Sequence, residues 1–392
     1  MKKSLLALCA VFVCSCAFAT LQYKVANVEA HQRYPWNGKV DIDFTIDCAD
    51  TAADFKVTFE CKDHGGNTNI VMKTIRNNDK GDAATSFTLK TGTYRFTWDA
   101  DADVPNVKLP VVSFAVFANY LGPTETAEYL VIDLSGGTNA THYTVSTLSG
   151  VPSGGWTDEY KTTKLVLRRC PAGADPLGRY TLTKDFYAGI FEVTQKQWEL
   201  VRGYKVWYSS YGKGDVYPAY YVSYDNIRGS SLGANWPSSS EVDADSFMGV
   251  LRAKTGLQEL DLPTEAQWEY ACRAGTTTEY NTGDGETALK NAGWYSDNAN
   301  NTSHAVGLKT ANAWGLYDMH GNLLEWCLDW LMVGRSPAGN DPVGETSGSL
   351  RFLRGGSWDS DLDVAALWYR LSYSSPSGAG RDCGFRIFRT VP

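Results

Sequence analysis

The feature that most constrains this chain is a period of two. From residue 40 to about 134, apolar and polar side chains alternate, which is the pattern a half-buried β-strand requires. VDIDFTIDC (40–48) and FKVTFEC (55–61) keep the alternation, and SFTLKTGTYRFTWDA (86–100), VVSFAVFANY (111–120) and AEYLVIDL (127–134) continue it. Turn residues such as Gly65-Gly66 and Asn77-Asn78-Asp79 separate the runs. Short strands at this spacing predict an antiparallel sandwich of immunoglobulin type over residues 20–134. No tryptophan lies between paired cysteines at antibody spacing, so the expectation is the architecture alone. Residues 135–155, SGGTNATHYTVSTLSGVPSGG, are rich in Gly, Ser and Thr, and residues 135–158 read as a linker, with or without an edge strand.

The patterning then changes. Thr194-Gln195-Lys196-Gln197 fits a capping box, in which the Thr hydroxyl accepts the third helical N–H and the Gln reaches back. Thr264-Glu265-Ala266-Gln267 repeats it after Pro263, opening a helix through Arg273 that Gly275 should end. A third helix, at about 243–254, puts Phe247, Val250 and Leu251 on one face with Gly256 as its stop. Residues 159–392 therefore read as a second domain of short strands, helices and loops, and the whole as α+β. No repeat with a period of 20–50 residues is present. Most of the 13 tryptophans fall in this half; core packing is their expected role, and sugar stacking would need exposed rings.

Lys2 and Lys3, an apolar run from Leu5 to Val13 and the small residues ending Ala17-Phe18-Ala19 read as a signal peptide over 1–19. Acylation at Cys16 is the alternative. The run is too short for a stable membrane span and no later segment is longer, so an exported protein is expected: periplasmic, cell-surface or extracellular. Removing it leaves 392 − 19 = 373 residues, enough for two or three cores. A formal charge of −8 argues against nucleic acid, which is held by clustered Lys and Arg. Of nine cysteines, six lie beyond residue 19: Cys48, Cys61, Cys170, Cys272, Cys327 and Cys383. An even number in an exported chain permits disulfides, with Cys48–Cys61 as a local pair across two strands.

Four segments carry a more specific signal: LPTEAQWEYACRAG (262–275), NAWGLYDMHGNLLEW (312–326), RFLRGGSW (351–358) and CGFRIFR (383–389). In order and spacing they resemble the formylglycine-generating enzyme, or sulfatase-modifying factor, family, over about residues 160–392. The resemblance implies a C-type-lectin-like fold and, for active members, oxidation of a substrate cysteine at a copper ion held by two cysteines. The positions that match those cysteines are Ser360 and Ala365. Copper in this role selects soft thiolates, so the resemblance implies that copper is not bound here. It also implies structural calcium at Asn322 and Glu325, with Asn291 in a second site, since calcium takes hard oxygen ligands. A Cys272–Cys383 disulfide is implied too, although Cys383 precedes GFR where the family has its cysteine after it.

In place of the copper cysteines stands Asp359-Ser360-Asp361-Leu362-Asp363. An EF-hand reading fails, because Val364 occupies the sixth position and Arg370 the twelfth. In an extended segment the three carboxylates would share a face and favour a cation or an arginine, with Arg354, Arg370 and Arg381 as candidates. HExxH, paired CxxC, GxSxG and GxxxxGK[ST] motifs are absent. The five histidines are scattered, and His320 is expected to pack. Iron-dependent sulfoxide synthases of the family use histidines of a separate helical domain, which does not fit a β-rich N-terminal half. The expected function is thus a binding or accessory module whose ligand surface comprises Trp358, Asp359, Ser360, Asp361, Asp363 and Arg370. Its ligand would be a carbohydrate or peptide, and a sulfatase or cell-surface protein could be its partner. The competing expectation is an oxidase that generates formylglycine in sulfatases.

Overall fold

A computed structural model describes residues 23–33, 37–48, 54–63, 69–105, 112–122, 127–331, 337–367, 369–373 and 375–391. The expected signal peptide and Cys16 lie outside the described residues. The chain divides into two compact units, Met1–Thr124 and Glu125–Pro392.

In the first unit the alternating segments form two antiparallel sheets. One contains β1 (Tyr23–Gln32), β2 (Lys39–Cys48), β5 (Ile75–Asn77), β6 (Lys80–Ala84) and β8 (Gly92–Asp99) in the order β1-β2-β8-β5-β6; the other joins β3 (Asp54–Asp63) to β4 (Asn69–Ile70), β7 (Ser86–Leu89) and β9 (Val112–Gly122). Ile42, Phe44, Phe96 and Trp98 from the first sheet and Phe55, Val57, Phe114 and Val116 from the second belong to one apolar cluster. The period of two thus turns every second side chain inward, and full burial of each such residue contributes roughly 1.5–3 kcal/mol. Cys61 keeps a free thiol within this cluster, so the expected Cys48–Cys61 bond is not formed.

The expected domain boundary moves. Tyr129–Asp133 pairs with Lys164–Cys170 on one side and Val145–Leu148 on the other, inside the second unit. Tyr129 to Ile132 are all buried; a strand covered on both faces belongs in the interior of a larger fold, not in a half-exposed sandwich. Of the two readings of residues 135–155, the edge strand is the one present, as Val145–Leu148 at the margin of this sheet. Six strands form this antiparallel sheet, in the order Val145–Leu148, Tyr129–Asp133, Lys164–Cys170, Phe186–Gly189, Phe388–Thr390, Leu260–Asp261. A second sheet runs Leu371–Tyr373, Arg351–Arg354, Leu324–Trp330, Cys383–Gly384, its last pair parallel.

Both anticipated capping boxes are present: Thr194 with Gln197 opens Gln195–Arg202, and Thr264 with Gln267 opens Glu265–Arg273, whose chain leaves through Ala274 and Gly275, both at positive φ. The third helix is Phe247–Thr255, starting four residues later than expected because Ser246 caps it, and stopping at Gly256 as expected. Tyr224–Arg228, under a Ser223–Asn226 capping box, and Gly285–Ala292 were not anticipated. No helix among the described residues is long and apolar enough to cross a membrane.

Candidate functional site

The GNLLEW segment is built around two successive residues of positive φ, Gly321 (69°) and Asn322 (62°). A Cβ at Gly321 would lie 1.9 Å from the Trp294 carbonyl oxygen, so only glycine fits. The turn lets Gly321 N–H donate to Gly355 and Asn322 N–H to Trp294, while the Asn322 carbonyl accepts from Trp358 N–H. It thereby ties the RGGSW segment to the loop after Gly285–Ala292. The Asn322 side chain donates to Glu192 (2.6 Å) and accepts from His304 N–H (2.9 Å). Glu325 accepts from Arg386 of the GFR segment on both carboxylate oxygens and from Trp268 Nε1 at 2.7 Å. The Arg386 guanidinium also donates to the Gly189 and Tyr317 carbonyls. Glu325 and Arg386 are both fully buried, so each neutralises the other where water cannot.

The oxygens of Glu325 and Asn322 expected to bind a cation are already taken by an arginine, an indole and backbone N–H groups. Asn291 lies in the last turn of Gly285–Ala292, exposed, its carbonyl accepting from Thr310, and shares no partner with them. The expected donors do not fit calcium, and no group of three or more His, Cys, Asp or Glu among the described residues is placed to hold a metal ion.

The Ser360 hydroxyl accepts from Ser357 N–H (2.9 Å) and sits 3.1 Å from the Ser357 hydroxyl, which reaches Asp382 at 3.3 Å. Burial pushes the Asp382 carboxyl pKa up. Ala365 is fully buried, and its carbonyl accepts from His320 Nδ1 at 2.8 Å. That bond assigns the proton to Nδ1 and leaves Nε2 to accept from Asn281 N–H. Burial lowers the His320 pKa to about 4, so the ring is neutral and packs as expected. A hydroxyl and a methyl cannot supply two thiolates. Cys170, Cys272, Cys327 and Cys383 are buried free thiols. Cys272 donates to the Met319 carbonyl and Cys383 to Asp382, so the implied disulfide between them is not formed. Desolvation raises the thiol pKa of Cys272, Cys327 and Cys383. The residues present do not fit copper.

Of the expected ligand surface, the structure keeps part. Asp359, Asp361 and Asp363 are exposed, but Leu362–Ala365 winds into a 3₁₀ turn, so the three do not line one extended face. Arg381 pairs with Asp359 at 2.6 Å. Arg354 and Arg370 serve buried acids instead: Arg354 binds Glu269 at 3.0 Å, and Arg370 binds Glu265 and lies over Phe352. A buried carboxylate without its cation would be far costlier than an exposed one, so the arginines go inward. Trp358 is 1 % exposed and offers no stacking face; Tyr211 covers it, with centroids 5.4 Å apart and planes at 20°. Tyr208 is exposed instead, at 65 %, and Tyr204 is exposed as well, at 42 %. Tyr208, Tyr211 and Tyr221 were missed, and the available signal was the aromatic density of KVWYSSY (205–211) and YY (220–221). A cavity of about 480 Å³ opens elsewhere in this unit, lined by Leu182, Trp236, Leu262, Leu328, Val343 and Phe388, and none of the expected site residues lines it.

The turn, the buried ion pair and the GFR segment join the segments that carry the family resemblance. Residues 137–391 match the model of the sulfatase-modifying factor enzyme 1-like domain, and the chain belongs to that family. It is 29 % identical over 238 residues to the chaperone protein LppX of Paenibacillus barcinonensis, covering 53 % of this chain and 80 % of LppX. It is 36 % identical over 146 residues to the formylglycine-generating enzyme of Streptomyces coelicolor, covering 32 % of this chain and 45 % of that enzyme. Among solved structures, Treponema denticola variable protein 1 is similar at 26 % identity and a TM-score of 0.46, covering 58 % of this chain and 95 % of that one.

Proposed function

We propose that this protein is an exported binding or accessory module of its family and not a copper-dependent oxidase. The observation that carries the reading is the pair Ser360 and Ala365, a hydroxyl and a methyl where the oxidase chemistry needs two thiolates. Its ligand, a carbohydrate or a peptide, meets the face around Trp358, Asp359, Asp361 and Asp363, and a sulfatase or a cell-surface protein is the partner class the family suggests. We read the second unit as a C-type-lectin-like variant and the first as an immunoglobulin-like sandwich on the strength of its two antiparallel sheets around one core.

The test is turnover of a sulfatase-motif peptide by the purified protein with copper, O2 and a thiol reductant, read by mass spectrometry beside an active family member. The expected outcome is no conversion of the peptide cysteine to formylglycine while the control converts. Conversion would establish the oxidase reading and place the chemistry away from Ser360 and Ala365.

A further inference from the structure

Near the buried Trp358, Tyr208 stands open to solvent. Tyr208 stands edge-on to Tyr221, with centroids 5.2 Å apart. Tyr211, Tyr221 and Trp207, all half-buried, pack on the cluster formed by Tyr220, Leu323 and Trp358. These rings already hold cations of the chain. The Arg381 guanidinium lies 5.4 Å from the Tyr211 centroid and 5.3 Å from that of Trp358, and the Lys309 ammonium lies 3.9 Å from that of Trp294. An aromatic face attracts a cation through its quadrupole. Among the described residues no cation lies over Tyr208, the most exposed of the rings.

Beside the platform acidic side chains outnumber basic ones. Gly285–Ala292 packs Ala288 and Leu289 against Leu362, Ala365 and Ala366. Tyr280 hydroxyl donates to the Leu362 carbonyl, and Ser296 N–H to that of Ser360, each at 3.0 Å. These contacts bring the exposed Glu279, Asp284, Glu286 and Asp297 to the edge that carries Asp359, Asp361 and Asp363. Two cations answer them, Lys290 to Glu286 and Arg381 to Asp359, each at 2.6 Å. Among the described residues no cation pairs with Glu279, Asp284, Asp297, Asp361 or Asp363.

We propose that this face docks a basic polypeptide segment, one arginine or lysine stacking on Tyr208 and Tyr221 and its neighbours pairing with Asp361, Asp363 and the edge beyond. The inference rests on the binding-module reading and narrows its ligand. A neutral glycan would use the rings and leave the carboxylates unmatched. A single cation would meet the rings or the edge. A chain with several cations matches both.

The test is fluorescence anisotropy with a labelled ten-residue Arg/Lys-rich peptide, a Ser/Gly peptide of equal length and a neutral hexasaccharide. Saturable binding of the basic peptide is expected, weakening as salt screens the exposed charges. Tyr208→Ala should weaken it by about three- to tenfold, as loss of a cation–π contact would. The pair Asp361→Asn with Asp363→Asn should weaken it by about two- to tenfold, the range for exposed ion pairs. Glu241→Gln with Asp245→Asn, two exposed acids outside this face, should leave it unchanged. Equal binding of the neutral peptide, Tyr208-dependent binding of the hexasaccharide alone, or an equal loss in the Glu241/Asp245 variant overturns the proposal. Failure to bind the basic peptide sinks this inference alone, whereas formylglycine formation in the separate turnover assay sinks the reading beneath it.

Discussion

Glu325 shows how a residue's role depends on what faces it. By motif it is a calcium ligand; in the fold it is the anion of a buried pair with Arg386, also held by Trp268. Deleting one member of such a pair strands a charge in low dielectric, so Glu325→Ala should lower stability by about 3–5 kcal/mol. Urea melts with and without a chelator check both halves of the argument: the loss should be the same in each, and the wild-type midpoint should not respond to chelation. A wild-type protein that weakens on chelation would return Glu325 and Asn322 to the calcium reading. Ser360 and Ala365 needed no structure to be recognised as unsuited to copper. That Trp358 is covered and Tyr208 is open could not be read from residue type, because both are aromatic and only packing decides which face meets water.

At the scale of elements, local chemistry was legible wherever a cap specified it. Thr264 accepts Gln267 N–H, Gln267 returns the bond to Thr264 N–H, and Gln267 Nε2 goes on to the Thr390 hydroxyl. Thr264→Ala should cost roughly 0.5–2 kcal/mol, read as a shift of the denaturation midpoint with unchanged slope. The helix Glu265–Arg273 then presents Glu265 and Glu269 to arginines that come from far along the chain. Nothing in the periodicity of the Asp359–Asp363 run announced that Arg354 and Arg370 would be drawn away to those two acids. The strand Tyr129–Asp133 was found but assigned to the wrong unit, since a run buried on both faces says nothing about which sheet buries it.

The whole molecule carries two further expectations. Each unit has its own apolar cluster, so a fragment spanning 127–392 should melt cooperatively. One starting at 156 lacks Tyr129–Asp133 and Val145–Leu148 and should not, as circular dichroism would register. The second expectation concerns pH. Burial raises the pKa of Asp318 to about 6 and of Asp329 to about 8, from an ordinary value of 3.8. The folded chain therefore binds these protons more tightly than the unfolded chain. Stability from these groups is fully present below about pH 4 and is lost as pH rises through 6 and then 8. Asp329→Asn, which keeps an oxygen to accept Glu265 N–H, should remove about 1–3 kcal/mol of that decline. Equal declines in wild type and variant, measured as urea midpoints at pH 5 and pH 8, would contradict it.

The sequence by itself determined that the alternating runs between residues 40 and 134 are strands, where two of the helices start, which family the second unit belongs to and which two positions cannot bind copper. All of these depend on residue type and spacing along the chain. The tertiary structure alone decided which arginine meets which carboxylate, which thiols stay apart and which aromatic ring faces solvent. Those are choices among distant, chemically equivalent partners, and only the burial of one and the exposure of another separates them.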